Sequence, residues 1–159
     1  FFKSQLTTEE DLRNTADCMQ RSCDYAADRG VIVCTENNID TPMQLQMIEL
    51  VDRPNFKVYF DTQNYNVNHL YTPDLIPPII DYIAEVHVKD GYDKLSTHAI
   101  GTGGADVFAS LRMLEKCGYQ GWLILENYFS KSPLCGLYDD PYAIMQKDLK
   151  ILKDFLAAL

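Results

Sequence analysis

The sequence of 159 residues predicts an α/β fold that amounts to about half of a (β/α)8 barrel of the TIM type. Four short apolar segments alternate with longer amphipathic ones. This order is typical of β-α units that form a parallel sheet with right-handed crossovers. A complete (β/α)8 barrel takes roughly 250 residues and eight strands. The chain therefore accounts for about four units, and we expect residues 1–159 to form a single domain.

The first unit begins with a helix expected from Thr7 to Arg29. Either Thr7 or Thr8 can cap it, acidic residues fill its first turn, and Gly30 ends it. The segment Val31–Cys34 that follows is apolar and lacks polar alternation. Such a run predicts a strand that is buried on both faces.

The next two units repeat this pattern. We expect helices at Thr41–Val51 and Asp74–Tyr82, and strands at Phe56–Phe60 and Ile83–Val88. Thr41 is the expected cap of the former helix, with Pro42 in its first position. The pair Pro77-Pro78 predicts an interruption of the latter helix, because proline cannot donate a helical hydrogen bond.

The last unit combines a helix at Asp106–Lys116, which Gly118 ends, with a strand at Trp122–Leu125. Trp122 is expected in the core because it lies within an apolar strand. An amphipathic helix from about Pro141 to Leu159 closes the chain.

Each predicted strand ends in a side chain that can bind a metal ion: Glu36, Asp61, His87 and Glu126. The carboxyl ends of parallel strands meet at one rim of a barrel, so these four side chains are expected to converge there. Taken singly, each has a simpler explanation. Asp61 can be the cap of the next helix, and a lone histidine near a strand end is more often structural.

Three carboxylates and one imidazole form a ligand set that suits a divalent metal ion. Mn2+, Mg2+, Co2+ and Zn2+ all accept such ligands and leave positions open for substrate oxygens. The recurrence of the pattern at all four strand ends favours this interpretation over four separate structural roles.

Five segments resemble the xylose isomerase-like sugar phosphate isomerase/epimerase family, in the order that the family has them. They are Cys34-Thr35-Glu36-Asn37, Phe60-Asp61-Thr62, Val86-His87-Val88-Lys89-Asp90, Gly101–Asp106 and Gly118–Glu126. The H-x-K-D and G-Y-x-G-W-x-x-x-E motifs are the most specific of them. The resemblance covers nearly the whole chain and implies the C-terminal half of a barrel.

The resemblance also implies roles for the four strand-end residues. All four would bind the metal ion, and Glu36 and Glu126 would remove a proton beside a ketose carbonyl and return it, through an enediolate that the ion stabilises. The alternatives are a lyase or dehydratase on the same scaffold, including C-glycoside cleavage, and a non-catalytic half-barrel subunit or fragment. A base-repair endonuclease ranks lower, because that branch uses more histidines than the chain has.

Further residues are candidates for substrate contact. Asn64, Lys89 and Asn38 can bind hydroxyl groups or a phosphate, although Lys89 is an equally good surface ion-pair partner. Asn64 and Asn38 stand where the family often has histidine. Tyr65, Tyr71 and Tyr128 can stack on a sugar. The segment Gly101–Gly104 lacks the spacing of a nucleotide-binding loop and is expected to be a flexible loop beside the site.

The composition of the chain narrows the classes of protein and the cellular locations that the sequence allows. The net charge of −9, with a pI near 4.6, argues against nucleic-acid binding. The five cysteines favour free thiols in a reducing, cytoplasmic compartment, and no apolar run is long enough to cross a membrane. Four strands cannot close a barrel. We therefore expect an oligomer or a missing N-terminal half, acting on a small sugar or sugar phosphate.

Overall fold

The structure is a computed structural model that describes residues 6–137 and 140–159. Its helices are α1 Glu9–Ala27, α2 Thr41–Val51, α3 Thr72–Ile79, α4 Val107–Lys116 and α5 Pro141–Leu156. Its strands are β1 Val33–Thr35, β2 Phe56–Asp61, β3 Ile83–Val88 and β4 Trp122–Leu125. All four pair in parallel in the order β1-β2-β3-β4. The predicted parallel α/β architecture is confirmed.

Strand β1 begins two residues later than the sequence pattern predicts. The amide of Val31 donates to the carbonyl of Ala26, which completes the end of α1 instead of entering the sheet. The first strand-like bond runs from the amide of Val33 to the carbonyl of Asn55. Val31 and Ile32 precede the strand and are about half exposed.

Two helix starts also differ from the prediction. Asp40, and not Thr41, caps α2, and its carboxylate accepts a hydrogen bond from the amide of Met43. Helix α3 begins at Thr72 and continues through Pro77 and Pro78. Both prolines are exposed, so water can reach the backbone groups that they leave unpaired. A 3-10 turn then leads directly into β3.

The main core lies between the sheet and the helices on one of its faces. Alternation along each strand sends Val58 and Phe60 of β2 and Val86 and Val88 of β3 to that face, where all four are fully buried. Side chains from α3, α4 and α5 pack against them. Helices α1 and α2 enclose a second cluster beside β1 and β2.

The opposite face of the sheet is largely open. Trp122, expected in the core, is 75% exposed, and Ile124 on the same strand is 37% exposed. Both belong to the edge strand β4 and alternate with Leu123 and Leu125, which pack against the helical core. The prediction for Trp122 was wrong because strand membership does not reveal which face is covered. Among the described residues, no helix is long and apolar enough to span a membrane.

Replacement of core and surface leucines tests this layering. Leu111 of α4 is 2% exposed, whereas Leu149 of α5 is 40% exposed. We expect Leu111→Ala to lower the free energy of unfolding by about 2–5 kcal/mol through the cavity that it leaves. Leu149→Ala, the matched control, should cost less than about 1 kcal/mol. Urea titrations followed by circular dichroism measure both, and equal losses would contradict the assignment of the core face.

Candidate metal centre

The parallel sheet brings four strand ends to the same edge. Asp61 is the last residue of β2 and pairs in register with His87 of β3. Glu36 directly follows β1, and Glu126 directly follows β4. The amide of Glu126 donates to the carbonyl of Val88, at 3.0 Å, and so extends the ladder beyond the strand.

The side chains of these four residues lie together, and we refer to Glu36, Asp61, His87 and Glu126 as the rim cluster. One ligand atom from each lies within 4.8 Å of the other three. His87 Nδ1 is 3.5 Å from Glu36 Oε1, 3.4 Å from Glu126 Oε2 and 3.9 Å from Asp61 Oδ2. The cluster opens to solvent on one side, because the side chains of Glu36 and Glu126 are 28% and 30% exposed.

Asp61 forms the buried floor of the rim cluster, with no exposed surface. Its Oδ1 accepts hydrogen bonds from the amides of Gln63, at 2.7 Å, and Asn64, at 2.8 Å. These bonds orient the carboxylate so that Oδ2 faces the other three side chains. Burial raises the pKa of Asp61, and the neighbouring ammonium of Lys89 offsets part of that rise.

His87 lies against an aromatic ring that the sequence did not single out. Its imidazole stacks on Tyr59 of β2, with the ring centroids 3.9 Å apart. Burial alone lowers the pKa of His87, but the carboxylates of the rim cluster outweigh it and raise the pKa above its ordinary value. The imidazole in turn lowers the pKa of Glu36.

Lys89 is buried and lies within the site, which excludes its alternative role as a surface ion-pair partner. Its Nζ is 2.5 Å from Glu126 Oε2 and 2.9 Å from Asp61 Oδ2. Burial alone lowers the pKa of Lys89, but the charges of Asp61 and Glu126 outweigh it and raise the pKa. The ammonium therefore remains charged and compensates part of the negative charge of the cluster.

The two asparagines proposed for substrate contact differ in position. Asn64 touches the rim cluster, because its Nδ2 donates to Glu36 Oε1 at 2.8 Å. Asn38 lines a cavity of about 220 Å3 together with Leu6 and Met43, and no member of the rim cluster lines that cavity. Tyr65, proposed as a sugar-stacking residue, is instead buried in the main core against Phe60.

The glycine loop Gly101–Gly104 is held in place by Asp90, the final residue of the H-x-K-D motif. The Asp90 carboxylate accepts hydrogen bonds from the amides of Gly91, Gly101, Gly103 and Ala105. A Cβ atom at Gly103 would lie 2.3 Å from Asp90 Oδ1, so only glycine fits there. The loop amides thus bind a carboxylate of the protein itself and are not a free phosphate cradle.

A buried polar network extends from Asp90 to the last helix. The Asp90 amide donates to Asn127 Oδ1, and Asn127 Nδ2 donates to Asp148 Oδ2 of α5 at 2.8 Å. The other Asp148 oxygen accepts from the amide of Ile100. Burial raises the pKa of Asp148, partly offset by the bond from Asn127. No sequence pattern points to Asp148, because nothing in the sequence marks a helix residue as the partner of a distant strand end.

The donor set and the geometry of the rim cluster fit a divalent metal ion. His87 Nδ1 is buried and has no hydrogen-bond partner of regular geometry among the described residues, and Asp61 Oδ2 has the Lys89 ammonium as its one close partner there. Such atoms are costly to bury unless something else binds them. Carboxylate oxygens and an imidazole nitrogen are ligands that Mn2+, Mg2+, Co2+ and Zn2+ accept.

The fold and the site together define half of a parallel α/β barrel that carries an acidic, histidine-containing cluster at the carboxyl rim of its strands. The xylose isomerase-like TIM barrel family matches residues 2–155, and the chain belongs to that family. The resemblance inferred from the sequence motifs is thereby confirmed.

Individual relatives are distant. The chain is 26% identical over 132 residues to an L-ribulose 3-epimerase of Methylomonas sp. (strain DH-1), a match that covers 78% of the chain and 45% of the relative. It is 26% identical over 145 residues to an inosose dehydratase of Klebsiella pneumoniae (strain 342), which covers 75% and 48%. The chain thus spans about half the length of the curated relatives that it matches.

A solved structure shows the same fold. The crystal structure of D-allulose 3-epimerase from Methylomonas sp. aligns with a TM-score of 0.76 at 23% identity. The alignment covers 95% of the chain and 58% of the solved one. This likeness shows the half-barrel architecture that the sequence predicted.

Removal of the Asp90 carboxylate tests the anchoring of the glycine loop. We expect Asp90→Ala to lower the free energy of unfolding by about 3 kcal/mol or more, because four amides lose their acceptor. Hydrogen exchange at Gly101, Gly103 and Ala105 should accelerate in the same variant. Asp93→Ala, a change at an exposed neighbouring position, is the control and should leave both quantities nearly unchanged. Unaltered exchange in Asp90→Ala would contradict the anchoring role.

Proposed function

We propose that the rim cluster binds one divalent metal ion and that the protein is a sugar isomerase or epimerase, which removes a proton next to the carbonyl of a small ketose or ketose phosphate. The observation that carries the proposal is the convergence of four ligand atoms, from four different strand ends, within 4.8 Å. Membership of the xylose isomerase-like family and the 3-epimerases among its relatives support this choice of reaction.

Exposure of their side chains supports Glu36 and Glu126 as the proposed proton-transfer pair. A divalent ion in the rim cluster supplies a Lewis acid that polarises the substrate carbonyl. Asp61 has no exposed surface and cannot reach a substrate carbon, whereas Glu36 and Glu126 are both accessible. They follow the two outer strands, with β2 and β3 between them. We infer that they approach a sugar from its two sides, so that one removes the proton and the other returns it.

Two buried neighbours support this pair. Asn64 donates a hydrogen bond to Glu36, and the ammonium of Lys89 contacts Glu126. Both side chains are also close enough to the cluster to bind the hydroxyl or phosphate oxygens of a sugar. Asn38 lines the neighbouring cavity, and we assign it to the part of a substrate that lies away from the reacting carbons.

Dehydration is the second candidate, because inosose dehydratases are among the relatives. Both reactions begin with loss of a proton from the carbon next to a carbonyl. In a dehydratase, hydroxide then leaves from the following carbon, whereas an epimerase returns a proton to the first one. The rim cluster can support either outcome, and the product distinguishes them.

The open face of the sheet supports the presence of a companion half barrel. Strands β1 and β4 each have one neighbour, and Ile32, Trp122 and Ile124 are exposed beside them. The relatives are about twice as long as the matched region. We propose that a preceding half of a longer polypeptide, or else a second copy of the chain, pairs with both edges and completes the barrel.

Solvent-deuterium exchange tests the proton-transfer chemistry. In the full-length protein loaded with Mn2+, we expect deuterium from the solvent to enter a ketose substrate at the carbon next to its carbonyl, as measured by NMR. Glu36→Gln and Glu126→Gln should each reduce epimerisation by about 10²-fold or more, because glutamine cannot accept the proton. Removal of the ion with a chelator should abolish exchange, and added Mn2+ should restore it.

The matched control is Glu115→Gln, the same chemical change at an exposed position on α4. It should leave the exchange rate unaltered. Full activity in both cluster variants would rule out the assigned pair. Release of water with formation of an unsaturated product would instead identify a dehydratase.

The companion half can be detected through Trp122, the only tryptophan of the 159 residues. We expect acrylamide to quench Trp122 fluorescence efficiently in the 159-residue chain and only weakly in the full-length protein, where the sheet face is covered. The difference between each protein and its Trp122→Phe variant isolates this signal. Equally efficient quenching in both proteins would show that the face stays open to solvent, whereas equally weak quenching would indicate that a second copy of the chain covers it.

A further inference from the structure

Lys89 contacts the same oxygen atoms that form the ligand set of the rim cluster. Its Nζ lies 2.9 Å from Asp61 Oδ2, 2.5 Å from Glu126 Oε2 and 4.0 Å from Glu36 Oε1. The same three oxygens surround His87 Nδ1 at 3.4–3.9 Å. The ammonium therefore lies beside the point on which a metal ion bound by these oxygens would be centred.

The backbone of Lys89 is fixed on both sides, which directs its side chain into the cluster. Its amide donates to Thr62 Oγ1, and its carbonyl accepts a hydrogen bond from the same hydroxyl. The next residue, Asp90, is anchored by the glycine loop. Only 2% of the Lys89 side chain is exposed, so its charge is compensated by the carboxylates of the cluster and not by water.

A divalent ion and the Lys89 ammonium cannot both make close electrostatic contacts with the same carboxylate oxygens. Oxygen ligands of Mg2+ lie at about 2.0–2.1 Å, which would bring the ion within a few ångströms of Nζ. Two cations at that separation, away from bulk water, repel each other strongly. Binding of the ion therefore requires the ammonium to give up part of its contacts with Asp61 and Glu126.

We propose that Lys89 is an internal cation that competes with the divalent ion for the carboxylates of the rim cluster and so sets the affinity of the site. This inference rests on the proposed metal centre and adds a regulating residue to it. The three carboxylates carry a charge of −3 and Lys89 carries +1. A monovalent ion thus gains little by replacing the ammonium, whereas a divalent ion gains more, and the site discriminates between them by charge.

The inference predicts that substitution of Lys89 raises the affinity of the site for a divalent ion. In Lys89→Met the apolar stem remains and the competing charge is lost, so we expect Mn2+ to bind at least tenfold more tightly than in the wild type. Competition with a metal-chelating dye measures the dissociation constant. Lys57→Met is the matched control, because it removes one charge from β2 at a lysine whose Nζ contacts Asp81. It should change the affinity less than twofold.

The outcomes separate this inference from the metal centre itself. If the wild type binds Mn2+ and Lys89→Met binds it equally well or more weakly, the competition is refuted while the metal centre stands. A weaker affinity would identify Lys89 as a residue that positions the carboxylates for the ion. If neither protein binds Mn2+, the metal centre fails and the inference fails with it.

A second measurement needs no substitution and covers the case in which Lys89→Met does not fold. Lysine acetylation by an N-hydroxysuccinimide ester, followed by peptide mass spectrometry, reports how accessible each ammonium is. We expect Lys89 to react slowly and to become at least several-fold more reactive as Mg2+ is added, in step with binding of the ion. Lys57 should react at the same rate throughout. An unchanged rate at Lys89 in Mg2+-saturated protein would overturn the proposal.

Discussion

The rest of the structure depends on holding three carboxylates close together at one rim. Glu36, Asp61 and Glu126 repel one another, and Asp61 is removed from water altogether. Such a group is tolerated only with compensating partners, since an isolated buried charge is very costly. Backbone amides hold one oxygen of Asp61, Asn64 holds Glu36, and Lys89 contacts both other carboxylates. The backbone amides hold the Asp61 oxygen that lies away from the shared centre, whereas Asn64 and Lys89 contact the oxygens that face it.

The compensating groups come from elements that are themselves tied together. Thr62 links the end of β2 to Lys89, and Asp90 links the end of β3 to the glycine loop. Asn127 and Asp148 extend this network to α5. The strand ends that carry the rim side chains are therefore held by hydrogen bonds to the backbone and by the buried carboxylates of Asp90 and Asp148. Preorganisation of this kind is what a metal site or a proton-transfer site requires.

The sequence predicted the four parallel strands and the polar residues that end them, because apolar runs and the polar residues after them are local signals. It failed where tertiary packing decides. Asp40 caps α2 because its backbone is extended and its side chain accepts from the Met43 amide, whereas Thr41 is already the first residue of the helix. Trp122 is exposed and Tyr65 is buried, since an apolar or aromatic residue carries no mark of which face is covered. The burial of Lys89 could not be predicted from the sequence, because the three carboxylates that compensate its charge lie far from it in the chain.

The half barrel contains the proposed ligands of the ion but not the surface that would enclose a substrate. All four members of the rim cluster, together with Lys89 and Asn64, come from neighbouring strands and their loops, so the proposed ligand set lies entirely within this half barrel. The sheet face below the cluster is only partly covered by the described residues, and Trp122 on that face is 75% exposed. Since electrostatic effects strengthen when water is excluded, in the proposed enzyme the affinity for an ion would arise here, while the discrimination among sugars would depend on the surface that closes over the cluster.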